Sequence, residues 1–254
     1  MAKKSLTTIE ETKMENAEIL DLTKPMHNHA LTKNEPVWGA AEDLTSTDLV
    51  IAKIFHQQAL SKFASDGAAA PGDWCDSLTG EILAKRDQEL QLIIFSSFKK
   101  LLISKLEGSA YKWSSTEDVT PANALLPWEE VLSNGDQIRR QLQYNYFGLL
   151  VNKLDEMPYV LSFQSSKIKA AKKLNTMFAK LSRLNLPSAA YIFNFKSVKE
   201  TGEKGSWYGV EVSQGEKTNT AQQEVAFEWY QKLKTARVTV AEGVPEQGGD
   251  DIPF

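Results

Sequence analysis

The chain is poor in the residues that build most catalytic and metal sites. A single cysteine, Cys75, stands in 254 residues. That excludes an internal disulfide and fits a reducing cytoplasm. A lone thiol of this kind serves as a small core residue more readily than as a reactive group. There are only 3 histidines. His27 and His29 lie in a polar N-terminal stretch without the further ligands a zinc site needs. His56 has no recognisable acid or nucleophile pattern around it. Walker A, Gly-x-Ser-x-Gly and Gly-x-Gly-x-x-Gly patterns are all missing. The adjacent acids Glu117-Asp118 and Glu129-Glu130 point apart in an extended chain, so neither pair marks the converging carboxylates of a metal-dependent nuclease. No apolar run approaches the roughly 20 residues of a membrane span. Met1-Ala2-Lys3-Lys4 leads into polar sequence, so no signal peptide is expected. These absences argue against an enzyme and imply no cofactor, no metal and no membrane partner.

What is present is an ordinary soluble composition with an uneven charge layout. Hydrophobic residues make up 42% and charged residues 24%, as in a globular domain. Residues 1–48 hold five Lys against nine acids, and residues 238–254 hold four acids and no base. Each end therefore carries −4, and since the whole chain is −4 the middle, 49–237, carries +4. A mildly basic core between acidic ends suits an anion-binding surface with tails that compete for it or bind partners.

Three regions follow. Residues 1–36 read as a flexible N-terminal arm, with a short helix conceivable around Ile9–Leu22. Residues 37–237 read as one α+β domain, its folded part beginning near Trp38. Residues 238–254 read as an acidic tail, because Gly243, Pro245, Gly248 and Gly249 disfavour regular structure. Within the domain, Thr47–Phe55 suits a strand or a buried helical turn. Trp74–Ser77 and Glu81–Ala84 flank Leu78-Thr79-Gly80 as a hairpin. Leu90–Leu106 suits one long strand with a bend or bulge, or two strands. Residues 108–134 read as a long connection. Gln141–Leu154 and Tyr159–Phe163 have strand composition. Lys167–Asn185 is the clearest helix, with Ser165 and Ser166 as cap candidates and Pro187 beyond its end. Ala189–Lys199 and Ser206–Ser213 form a strand pair, and Thr220–Thr235 a second helix. The order predicts α+β with a mainly antiparallel sheet, OB-like barrel closure being one form it could take.

The helix at 167–185 carries the strongest chemical signal. At about 100° per residue, Lys169, Lys172, Lys173, Lys180 and Arg183 share a stripe opposite Ala171, Leu174, Met177, Phe178, Leu181 and Leu184. No acid interrupts the segment. Solvated helices commonly mix signs, since Glu–Lys pairs stabilise them, whereas a wholly basic face repels itself until an anion neutralises it. Phosphate backbone is the natural candidate. Arg139 and Arg140 precede an aromatic strand and extend the candidate phosphate contacts. The second signal is aromatic. Tyr144, Tyr146, Tyr191, Phe193, Trp207 and Tyr208 lie on presumed strands among polar neighbours, where single-strand binders stack bases. The competing reading is that strand aromatics are core.

The chain end, Asp250-Asp251-Ile252-Pro253-Phe254, resembles the acidic tip of bacterial single-stranded-DNA-binding proteins, which dock partner enzymes with Asp-Ile-Pro-Phe. Pro253 pre-extends the backbone, Ile252 and Phe254 can fill an apolar pocket, and the carboxylates can meet a basic rim. Trp38-Gly39, Pro71-Gly72-Asp73-Trp74, Ser77-Leu78-Thr79-Gly80-Glu81-Ile82-Leu83 and Leu92-Ile93-Ile94-Phe95 together resemble bacteriophage single-stranded-DNA-binding proteins. One branch of that set is also linked to transcription as a polymerase cofactor. The resemblance covers roughly residues 38–115 and brings no catalytic residue.

The implied function is sequence-nonspecific binding of single-stranded DNA during phage replication, recombination or transcription in the host cytoplasm. Partner enzymes would be recruited through Asp250, Asp251, Ile252, Pro253 and Phe254. Two alternatives stand beside it: a strand-annealing recombinase, and an RNA polymerase cofactor with weak DNA contact. Self-association is left open.

Overall fold

The computed structural model describes residues 50–203, 205–235 and 239–240. The expected N-terminal arm, the Trp38 boundary and the C-terminal tip lie outside these residues. The chain is α+β. Its strands are β1 (Val50–Ile51), β2 (Lys53–His56), β3 (Trp74–Asp76), β4 (Ile82–Ala84), β5 (Glu89–Glu107), β6 (Ala110–Asp118), β7 (Glu129–Val131), β8 (Gln137–Leu150), β9 (Tyr159–Phe163), β10 (Tyr191–Gly202), β11 (Gly205–Lys217) and β12 (Thr239–Val240). Its helices are α1 (Lys62–Ser65), α2 (Ile168–Arg183) and α3 (Thr220–Thr235). Ten strands form one mainly antiparallel sheet in the order β11-β10-β5-β8-β9-β2-β3-β4, with β6 added beside β5 and β7 beside β8. The parallel pairings are β2 with β9 and the two-residue pair β1 with β12.

Strand alternation explains why this sheet is buried on both faces. Leu90, Leu92 and Ile94 of β5 join Tyr146, Leu161, Phe163, Phe193 and Phe195 in one cluster, closed by Ala170, Ala171, Leu174 and Leu181 of α2. Ile93 and Phe95 point the other way and join Phe147, Leu149, Val160, Ile192 and Ala226 of α3. A side chain every second residue on each face gives these two layers, so α2 and α3 cover opposite sides.

The sheet curls into a half-barrel, compatible with an OB-like arrangement. β2 and β10, well separated in the strand order, meet across a polar seam. His56 Nε2 and Ser197 Oγ are 2.7 Å apart, and Ser197 Oγ also donates to the Gly72 carbonyl. The Gln58 amide bonds the Tyr208 backbone twice, at 2.9 and 3.0 Å. Gly72 is required there. Its φ is +95°, and a Cβ would meet the Tyr208 ring at 2.7 Å.

β5 is one 19-residue strand. A bulge between Ile94 and Ser96 on its β8 side absorbs the bend. Beyond Lys99 and Tyr144 the two strands continue as an arm, where β6 and β7 flank them in the order β6-β5-β8-β7. Residues 108–134 are thus not a plain connection. Gly108, at φ +66°, turns β5 back on itself as β6, and the polar, aromatic run Ala110–Asp118 pairs along it.

α3 starts with a reciprocal cap: Asn219 Oδ1 accepts from Gln222 N, and Gln222 Oε1 accepts from Asn219 N, both at 2.9 Å. α2 ends in a left-handed Asn185, φ 55°. Leu186 N donates to Leu181 O and Asn185 N to Ser182 O, each at 3.0 Å, which satisfies the terminal carbonyls. Its start differs from expectation. Ser165 has φ 47° and opens a 3-10 turn, Ser165–Lys167, so neither Ser165 nor Ser166 caps the helix.

Candidate nucleic-acid interface

α2 is held against the sheet by its apolar side. Leu174 is fully buried, and Tyr146 reaches up from β8 to donate to Asn175 Oδ1 at 2.9 Å. The Phe178 ring meets Tyr146 and Phe193 edge-on, with centroids 6.0 and 5.2 Å away. The opposite side is consequently turned to solvent. Lys169, Lys172, Lys173, Lys180 and Arg183 are all exposed. None of the five forms an ion pair with a described carboxylate. At 1.5 Å per residue the row runs about 21 Å along the helix axis. The structure thus brings together the whole basic stripe expected from the sequence.

Arg139 and Arg140 sit differently. Arg139 donates from Nε and Nη2 to Glu129 Oε1 at 3.0 and 2.8 Å, and Arg140 pairs with Glu130 at 2.6 Å. Both acids come from β7, a strand inside the segment whose sequence suggests only a connection. The two arginines are therefore neutralised in place.

The aromatic candidates divide. Tyr146 and Phe193 are core residues, 1% and 0% exposed, and so cannot stack a base on the folded protein. Tyr146 lies between Phe163, Phe178 and Asn175, and burial pushes its hydroxyl pKa well above the ordinary value. Phe193 is enclosed by Phe178 and the rest of the α2 cluster. Tyr144 is half-buried with Lys99 Nζ 5.3 Å from its ring centre. Tyr191 is half-buried against the same cluster. Trp207 donates to Glu200 Oε2 at 2.9 Å, and Tyr208 is the ring against Gly72. Asp250, Asp251, Ile252, Pro253 and Phe254 lie outside the described residues.

Sequence reasoning misses an aromatic group on the arm. Trp113 and Trp128 are 43% and 45% exposed. The Arg139 guanidinium lies 4.0 Å from the Tyr111 ring centre and 5.8 Å from that of Trp128. The signal in the sequence is the pair of tryptophans inside a segment too polar to bury them. No group of three or more His, Cys, Asp or Glu side chains that could hold a metal occurs among the described residues. No described helix is long and apolar enough to cross a membrane.

Residues 129–239 match the family model described as Pam3 phage gp34-like protein. The similarity indicates a phage protein. It spans β7 to the start of β12, and so includes α2, the β10–β11 hairpin and α3. No curated protein and no solved structure matches the chain.

Proposed function

We propose that this phage protein binds single-stranded DNA without sequence preference, with α2 as its main phosphate contact. The observation that carries the reading is the row of five exposed cations, unpaired with any described acid, on a helix that has no acid of its own. Such a row is self-repelling until a polyanion lies along it. A single strand is favoured over a duplex because accessible, partly exposed aromatics can stack unpaired bases, and Tyr144, Tyr191, Trp207 and Tyr208 keep part of their surface open. The acidic tip, from Asp250 to Phe254, would recruit replication, recombination or transcription enzymes in the host cytoplasm. The resemblance of that tip to the bacterial one supports this part of the reading.

The test is an electrophoretic shift series with single-stranded DNA, duplex DNA and RNA of equal length at several salt concentrations. Tighter retention of the single strand at physiological salt is expected. Equal affinity for duplex and single strand would overturn the reading. Loss of all retention at moderate salt would favour a polymerase cofactor instead.

A further inference from the structure

We propose that the outer face of the arm, centred on Trp128 and Trp113, stacks unpaired bases of a strand that leaves the phosphate row of α2 and rounds the edge of β8. This rests on the reading above and adds a second subsite to it. Three observations converge.

The first is continuity. Along one edge of β8 the neighbours change in sequence. β9 pairs with Tyr144 to Gly148. The turn into α2 follows, with Gln143 Nε2 on Gln164 Oε1 at 3.1 Å and the Gln141 amide on Ser165 Oγ. Next comes the Trp128 carbonyl, which accepts from Arg140 N at 2.7 Å. Gln141 and Arg140 adjoin in sequence, so Trp128 begins where the lead-in to Lys169 ends.

The second is a shared face. Arg139, Gln141 and Gln143 alternate along β8 onto one side, that of Phe147 and Leu149 and not the α2 side taken by Tyr144 and Tyr146. The Arg139 guanidinium covers Tyr111 and approaches Trp128. Trp113 lies two residues from Tyr111, before the β6 irregularity at Ser114, and shares its side. Two exposed indoles therefore flank a guanidinium already stacked on a phenol, a surface of flat rings matched to bases.

The third is charge. Residues 99–140 carry six cations and six acids. Lys100, Lys105, Lys112, Arg139 and Arg140 each pair with an acid of the arm. A surface with its charges cancelled offers a polyanion no counterion release. It offers stacking, while α2 supplies the phosphate contacts.

This division of labour is measurable. Trp128→Leu and Trp113→Leu keep apolar area but remove the indole. Each is expected to weaken binding of oligo-dT by roughly 5- to 100-fold, by the same factor at every salt concentration, leaving the log–log slope unchanged. Trp128→Tyr should recover most of the affinity. Quenching of tryptophan fluorescence by oligo-dT should shrink in both Leu variants. Wild-type affinity and quenching in the Trp113→Leu, Trp128→Leu double variant would overturn the proposal while leaving DNA binding through α2 intact. A changed slope would also overturn it, by making the arm a phosphate contact. If the unaltered protein fails to bind oligo-dT, the functional reading itself falls.

Discussion

At the scale of single residues, charge pairing separates cations that can serve a ligand from those that hold the fold. Lys172 and Lys173 have no described acid as partner, so Lys172→Ala with Lys173→Ala should leave the thermal midpoint nearly unchanged. DNA binding should weaken for all sequences alike, and the salt dependence should flatten by roughly 0.7 in log–log slope for each phosphate of a single strand that is no longer neutralised. Filter-binding titrations at several salt concentrations read both effects. Arg139 and Arg140 should behave in the opposite way, because removing either strands a glutamate on β7. Cys75 offers a different residue-level check. It is buried, and burial first, then Asp73 and Asp76, pushes its thiol up to about 11. A thiol reagent at neutral pH should leave it unmodified in the native protein and label it once the protein is unfolded.

At the scale of elements, α2 and α3 are legible in the sequence from their helical period, and β9 from a short run of strand-forming residues. In α2, Leu174 and Leu181 recur opposite the lysines, and Asn185 with Pro187 marks the end. The β10–β11 hairpin is legible from the aromatic and aliphatic runs on either side of Gly202 and Gly205. β6 and β7 are not legible, because a strand in an arm gains its place from the neighbouring strand it folds back on rather than from its own apolar face. Ala110–Asp118 buries little and reads as loop until β5 is laid beside it. The same blindness assigns Tyr146 and Phe193 to a surface: alternation says which residues share a side, and only the helix lying over that side says it is covered. Tyr146→Phe removes the bond to Asn175 that α2 supplies in return, a loss of about 1 kcal/mol by denaturant unfolding. The terminal tip is an element too, with its own test. Phe254→Ala keeps Asp250 and Asp251, so DNA affinity should hold while pull-down of replication or transcription enzymes drops. Unchanged capture of every such enzyme would leave the tip as an electrostatic competitor alone.

Across the whole molecule, the half-barrel depends on a seam containing a buried titratable group. His56 stacks on Trp74 at 4.3 Å between ring centres, its Nε2 is held by Ser197, and its Nδ1 has no hydrogen-bond partner among the described residues. Burial first, and then the Lys167 ammonium, hold its pKa well below the ordinary 6.5. The folded protein therefore takes up this proton less readily than the unfolded chain. That contribution to stability is complete above about pH 6.5 and is lost progressively as the pH falls toward the folded-state value. Thermal midpoints measured from pH 8 to pH 5 should decline below about 6.5, and His56→Asn should flatten that part of the profile. An identical decline in the variant would assign the acid sensitivity to the carboxylates instead.

The parallel pairing of β2 with β9 also sets a timetable for biosynthesis. Lys53 and Ile54 find their partners in Val160 and Leu161, a separation of 107 residues in each case. At roughly 5–20 residues per second, a ribosome needs about 5–20 s to deliver β9 after β2 has emerged. During that interval β2, β3 and β4 have each other but no sheet to join, and the apolar side chains Ile54 and Trp74 stay wet. The early strands of each nascent copy thus wait with apolar surface uncovered before they join the half-barrel.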